Sequence, residues 1–167
     1  MSPLRPDLVD VWMFREAGGG PERGLEILML RRSAGRILPG LWQCVSGRLE
    51  AGESIPAGAL RELREETGFG PGQIEAFYDI DQVNQFHEPS MGAVVTSVIF
   101  AVRLRPGTEP VLSGEHDAMT WVSPAEADRL AIWPAYRESI RRIVENLADA
   151  ERAGWFELTL AGERARA

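Results

Sequence analysis

The feature that most restricts how this chain can fold is the stretch at residues 47–69, GRLEAGESIPAGALRELREETGF, which sets two glycines and a glutamate in front of a segment with helical periodicity. An α-helix advances about 100° per residue, so Glu62, Glu65 and Glu66 fall within about 100° of arc. Ala59, Leu60, Leu63 and Thr67 share the adjacent side, an apolar stripe that suits docking on a sheet. The helix is expected over residues 56–67, with Ser54 or Glu53 capping its start, Pro56 in the first turn and Gly68 at its end. Like charges three and four residues apart cost only about 0.2 to 0.5 kcal/mol per pair, so on an arbitrary helix such a stripe is simply a solvated face. The loop in front changes that reading. Gly47 and Gly52 permit close backbone approach, and Glu53 reaches Arg61 if the loop folds back. Carboxylates clustered beside a glycine turn suit Mg2+ or Mn2+, hard cations that prefer oxygen ligands and retain waters.

At 167 residues the chain can bury one substantial core, and a single domain over residues 1–153 with a C-terminal extension at 154–167 is expected. The net charge of -7 argues against nonspecific binding to nucleic acid. A polyanionic substrate must then be met by a metal ion and by local arginines. All 18 basic residues are arginine, which reads as compositional bias. Cys44 is the single cysteine, which excludes an intramolecular disulfide and fits a reducing cytoplasm. No targeting pattern opens the chain and no apolar run is long enough to span a bilayer, so a cytoplasmic protein without a membrane partner is expected.

Strands are expected at residues 8–15 and 25–30, joined by the breaker-rich loop AGGGPERG at 17–24. A short apolar segment at 41–45 leads into the glycine loop. Two long strands are expected at 74–83 and 93–104, a short one at 119–122, and a second helix at 134–149 from the spacing of Tyr136, Ile140, Ile143, Val144 and Leu147. Strands, helix, strands, helix in that order suggest an α/β fold with a mixed sheet between helices, an α/β/α sandwich. In the tail, WFELTL alternates apolar and polar residues and reads as a strand, a homodimer contact or a flexible end; a strand or turn followed by disordered GERARA is expected.

Residues 47–69 resemble the signature box of the Nudix hydrolases: Gly47, Glu53, Arg61, Glu62, Glu65, Glu66 and Gly68 occupy all seven fixed positions, and Leu63 and Phe69 both apolar ones. The resemblance implies the same α/β/α sandwich and a phosphoanhydride hydrolase. It also implies that Glu62 and Glu66 hold the ion most directly, with the Gly47 carbonyl and Glu65 completing or supporting its sphere. Arg61 would orient Glu62 or Glu53. Hydrolysis needs an activated water and neutralised phosphoryl oxygens, both of which divalent ions supply. A carboxylate can serve as general base. Glu62 is the first choice and Glu115, in the loop PVLSGEHDAMTW, the second; in the family a glutamate on such a loop often completes the metal site or acts as base. His116 beside it and His87, expected in a surface loop, give no zinc pattern.

Arg31 and Arg32 close a strand where they could meet substrate phosphates through forked hydrogen bonds. Trp42, Phe86, Trp133 and Tyr136 are candidate stacking platforms. Before the box the chain reads WQCVSG, with Ser46 where many members have glycine, and Asn84 and Gln85 stand where ADP-ribose pyrophosphatases carry a proline. WQCVSG, Glu115-His116 before Trp121-Val122, and WPAYRESIRRIVENL look similar to bacterial dihydroneopterin triphosphate pyrophosphatases and related dNTP pyrophosphatases. The expected reaction splits a nucleoside triphosphate-like substrate into a monophosphate and pyrophosphate. Hydrolysis of dinucleoside polyphosphates, nucleotide sugars or ADP-ribose is the alternative, and a non-catalytic nucleotide-binding module the alternative from another class.

Overall fold

Alternation along the first strand, β1 (Leu8–Glu16), sets up two apolar layers. Val9, Val11 and Met13 enter one cluster and Trp12 and Phe14 the other, so this strand is buried on both faces. It belongs to a computed structural model that describes residues 5–18 and 24–166. The loop expected at residues 17–24 lies largely outside the described residues, although the Ala17 amide donates to the Gly24 carbonyl at 2.8 Å.

Among the described residues, one sheet of eight strands is formed by β1, β2 (Leu25–Arg32), β3 (Trp42–Gln43), β4 (Val45–Arg48), β5 (Ile74–Glu88), β6 (Ala93–Leu104), β7 (His116–Val122) and β8 (Glu157–Leu158). The order is β3-β2-β1-β6-β5-β8, with β4 paired to β1 and β7 to β2. β1 and β6 are parallel while β1 runs antiparallel to β2 and β4, so the sheet is mixed as expected. Helix α1 (Ile55–Thr67) covers one face through Ala59 and Leu63. Helices α2 (Pro124–Leu130), α3 (Pro134–Leu147) and α4 (Ala150–Ala153) cover the other through Ala127, Ile140, Ile143, Leu147 and Ala153. The sandwich is therefore α/β/α, and no helix among the described residues is long and apolar enough to cross a membrane.

Several boundaries differ from those expected. β5 runs to Glu88, because pairing with β6 continues through Phe86↔Val95 and His87↔Val94; His87 is thus a strand residue and not part of a loop. β7 begins at His116, three residues before the expected strand, drawn out by its pairing with Arg32. The segment at 41–45 divides into β3 and β4, and Gly47 lies inside β4, paired with Val9, where a loop was expected. α2 was not anticipated. At seven residues it is too short to show periodicity, although Ser123 caps it and Pro124 opens it. The tail takes up its strand alternative: β8 pairs with Phe77 and Tyr78, and the chain turns back so that the Ala165 amide donates to the Glu157 carbonyl at 3.0 Å.

Ser54 is the N-cap of α1, its hydroxyl accepting from the Ala57 amide at 3.3 Å, and Gly68 ends the helix in the left-handed conformation at φ 74°. Leu63, fully buried, anchors α1 to the sheet. Leu63→Ala is expected to cost about 2 to 5 kcal/mol in urea unfolding, since the rigid sheet beneath cannot close the cavity.

Candidate active site

β4 passes so close to α1 that a Cβ on Gly47 would overlap the Glu62 carboxylate. Only glycine lets that side chain lie against the strand. The three glutamates that share one helical face therefore meet different surroundings: the side chains of Glu66, Glu62 and Glu65 are 5%, 13% and 56% exposed. Glu65 stands at the rim and the other two are sunk between helix and sheet.

Arg61 ties this arrangement to the preceding loop. Its Nε and Nη2 donate to the two Glu53 oxygens at 2.9 and 3.0 Å, its Nη1 to Glu62 Oε1 at 2.8 Å, and Nη2 also to the Arg48 carbonyl at 2.9 Å. Glu65 lies 3.4 Å from the same Nη1. The loop can press on α1 because Gly58 has no side chain: a Cβ there would meet Leu49 and come within 2.7 Å of Glu53 Oε2. Sequence reasoning passed over Gly58. The available signal was a glycine inside a helix, where it is disfavoured by roughly 1 kcal/mol relative to alanine unless packing needs it.

Charge is crowded here. Hydrogen bonds from Arg61 hold the Glu53 carboxyl below its usual range, while loss of water pushes Glu62 up despite Arg61. Glu66 is raised to about 8, by burial first and then by the charges of Glu115 and Glu62. Its Oε2 is buried and, among the described residues, without a hydrogen-bond partner. A desolvated carboxylate with an unmatched oxygen, a second one beside it and a strand stripped of its side chain form a cradle that suits a hard cation. Among the described residues no three His, Cys, Asp or Glu side chains converge as a finished cage.

Glu115 joins the cluster from the far side of the chain. The Val111 and Ser113 amides donate to the Thr67 and Glu66 carbonyls at 2.9 and 3.1 Å, which moors its loop to the end of α1. Its charge raises both Glu62 and Glu66, and Arg36 pairs with it at 3.3 Å. Arg32 also acts here: its charge lowers the Glu66 pKa and, after burial, that of His116, while its Nε donates to the Ile37 carbonyl at 2.7 Å. The structure thus brings Gly47, Glu53, Arg61, Glu62, Glu65, Glu66, Glu115 and Arg32 together.

Arg31, Trp42 and Ser46 lie on the opposite face of the sheet. Arg31 pairs with Asp117 at 2.7 Å and its guanidinium carbon sits 5.9 Å from the centre of the Trp42 ring, which packs on the second apolar cluster. Ser46 stands across from Asp10 on β1, a carboxyl that burial raises to about 6 against the hydroxyls of Ser46 and Ser97. Of the other aromatics, Phe86 and Trp133 are partly open to solvent, and Tyr136 is packed edge-on against Trp12 at 5.3 Å. Asp10 and Gln43 are buried polar residues that were not selected from sequence, because single polar residues in strands carry no local signature; His116, weighed there as a loop residue beside Glu115, is instead buried at the start of β7.

A family model described as the NUDIX domain matches residues 4–143. A CTP pyrophosphohydrolase of Escherichia coli is 33% identical over 114 residues, 68% of this chain and 78% of that protein. An octanoyltransferase of Myxococcus xanthus is 38% identical over 128 residues, 75% of this chain, and the match spans only 33% of that longer protein. Among solved structures, the E. coli dihydroneopterin triphosphate pyrophosphohydrolase superimposes with a TM-score of 0.66 at 26% identity, covering 83% of this chain and 95% of that one.

Two outcomes are expected. Gly47→Ala displaces the Glu62 carboxylate without touching the core, so circular dichroism stays native while activity falls by about 10 to 100-fold, the cost typical of disturbing the support of a ligand. The second concerns pH. With Glu66 near 8 when folded and 4.5 ordinarily, the folded protein holds a proton between those values that the unfolded chain has released. Its contribution to stability is full below about pH 4.5 and is lost as pH rises through 8. Calorimetry of metal-free protein is expected to show Tm falling from pH 5.5 to 8, and Glu66→Gln flattening that slope.

Proposed function

The chain belongs to the Nudix family, and from that premise we propose that it is a Mg2+- or Mn2+-dependent pyrophosphohydrolase that cleaves a nucleoside triphosphate-like substrate to a monophosphate and pyrophosphate. That it is a hydrolase of phosphoanhydride bonds follows from the family and from relatives named for that activity. The observation that carries the metal reading is the Glu62–Glu66 pair, sunk beside a glycine and raised in pKa by burial.

Glu62, Glu66 and the Gly47 carbonyl would hold the ion, with Glu65 and Glu115 at its margin. When bound, the ion supplies neutralising charge at the phosphoryl oxygens. The remaining work falls to side chains. Arg61 keeps Glu62 from rotating away, by a contact of 2.8 Å. Glu62 is the first choice to receive the proton of the attacking water; Glu115 is the second, half-exposed and paired with Arg36 at 3.3 Å. Arg32, on the face of the carboxylates, meets the substrate phosphates. Arg31, Trp42 and Ser46, expected from the sequence to bind substrate, face away from the carboxylates and have no part in this reading.

Support for a triphosphate comes from the relative named CTP pyrophosphohydrolase and from the fold shared with the dihydroneopterin triphosphate enzyme, which favour a dNTP or a pterin triphosphate. Residues 1–153 serve as one catalytic domain and 154–167 as an extension, in a cytoplasmic setting that suits the single thiol of Cys44. Chromatographic product analysis on a panel of triphosphates, dinucleoside polyphosphates, nucleotide sugars and ADP-ribose with Mg2+ tests this reading. Pyrophosphate and monophosphate from triphosphates are expected; cleavage of only bridged substrates, or binding without turnover, overturns it. Glu62→Gln and Glu66→Gln are each expected to lower kcat by at least about 100-fold while the fold persists, since each removes a ligand and a repelling charge together.

A further inference from the structure

Two buried polar atoms face each other beside the metal cradle, and among the described residues neither has a hydrogen-bond partner: Glu66 Oε2 and His116 Nδ1, 3.6 Å apart. The other imidazole nitrogen, Nε2, lies 3.3 Å from Gln43 Nε2. All three residues are nearly sealed from water, at 3 to 4% exposure. They meet because Gln43 on β3 pairs with Leu30 and His116 on β7 pairs with Arg32, so strands that each pair with β2 send these side chains to the face that α1 covers.

An amide nitrogen can only donate, so the imidazole nitrogen opposite it must accept. The neutral ring then carries its proton on Nδ1, pointed at Glu66 Oε2. With the Glu66 carboxylate ionised, as a ligand to a cation is, turning the Gln43 amide over would place the proton on Nε2 and leave a bare Nδ1 lone pair aimed at a carboxylate oxygen, so only one arrangement then satisfies both orphaned atoms. At 3.6 Å the His116 to Glu66 contact is just beyond a hydrogen bond and closes with a small rotation of either side chain.

We propose that Gln43 and His116 are positioning residues: Gln43 sets the tautomer of His116, and His116 holds the Glu66 carboxylate in the orientation that binds the divalent ion. This rests on the reading of Glu66 as a ligand. Neither residue touches the substrate. Their action is to stop the buried carboxylate from turning, so that the ion does not have to order it on binding.

The test combines the tautomer in the metal-bound protein with the affinity for the ion. In 15N-labelled protein saturated with Mg2+, where Glu66 is ionised, NMR is expected to show His116 protonated at Nδ1 with Nε2 bare; the opposite tautomer overturns the proposal. Mn2+ binding followed by electron paramagnetic resonance is expected to weaken about 10 to 100-fold in His116→Ala and in Gln43→Glu, whose carboxylate would draw the proton to Nε2. His116→Asn, which keeps a donor near the Nδ1 position, is expected to recover most of the loss. Gln43→Met, close in shape and unable to hydrogen bond well, decides the matter if His116→Ala does not fold. Wild-type Mn2+ affinity in folded Gln43→Glu and Gln43→Met, or an Asn variant as weak as the Ala one, overturns the proposal. Glu66→Gln separates the two levels: if it leaves Mn2+ binding intact, the ligand reading itself fails.

Discussion

A single guanidinium keeps the loop before α1 and the helix in one piece. Arg61 reaches Glu53 with a two-pronged contact, Glu62 on its own helix and the carbonyl of Arg48 at the end of β4. An exposed ion pair is worth little, about 0 to 1 kcal/mol. This one is forked and mostly shielded, with side-chain exposures of 20% for Arg61 and 14% for Glu53. Such geometry makes charge-assisted hydrogen bonds strong as well as directional. Without it the loop would have no reason to lie on Gly58, and Glu62 no reason to lie against Gly47.

What this arrangement concentrates is unfavourable by itself. Glu62 and Glu66 lose water, Glu115 adds a third negative charge, and the response of the metal-free protein is to raise the pKa values of the two buried acids. Groups tuned in this way by burial and like charge are typical of reacting centres, where local stability is given up for a poised site. The apolar layers on the two sides of the sheet, from Val9, Leu28 and Leu63 on one side to Trp12, Ile99 and Ile143 on the other, supply the stability that tolerates it.

β4 divides the chemistry. Because side chains alternate along a strand, Ser46 and Gly47 face opposite sides, the first toward Asp10 and the second toward Glu62. Arg31 and Arg32 separate in the same way, one paired with Asp117 over Trp42 and the other beside Glu66 and His116. Three glutamates collect under α1, while Asp10 and the Arg31–Asp117 pair lie on the face shared with α3.

Much of the carboxylate site was legible in the sequence because its order is local. The helix, its Ser54 cap, its Gly68 stop and the shared face of Glu62, Glu65 and Glu66 depend on spacings of three and four residues, which a periodic backbone converts directly into position. The link from Glu53 to Arg61 was readable too, since eight residues of loop and helix leave few other partners. Tertiary structure alone decided the rest. That Gln43 and His116 converge, that Arg31 turns from Arg32, and that Phe86 and His87 stay in a strand are consequences of register between segments up to about a hundred residues apart. Register is set by the packing of whole strands, and no spacing within one segment records it.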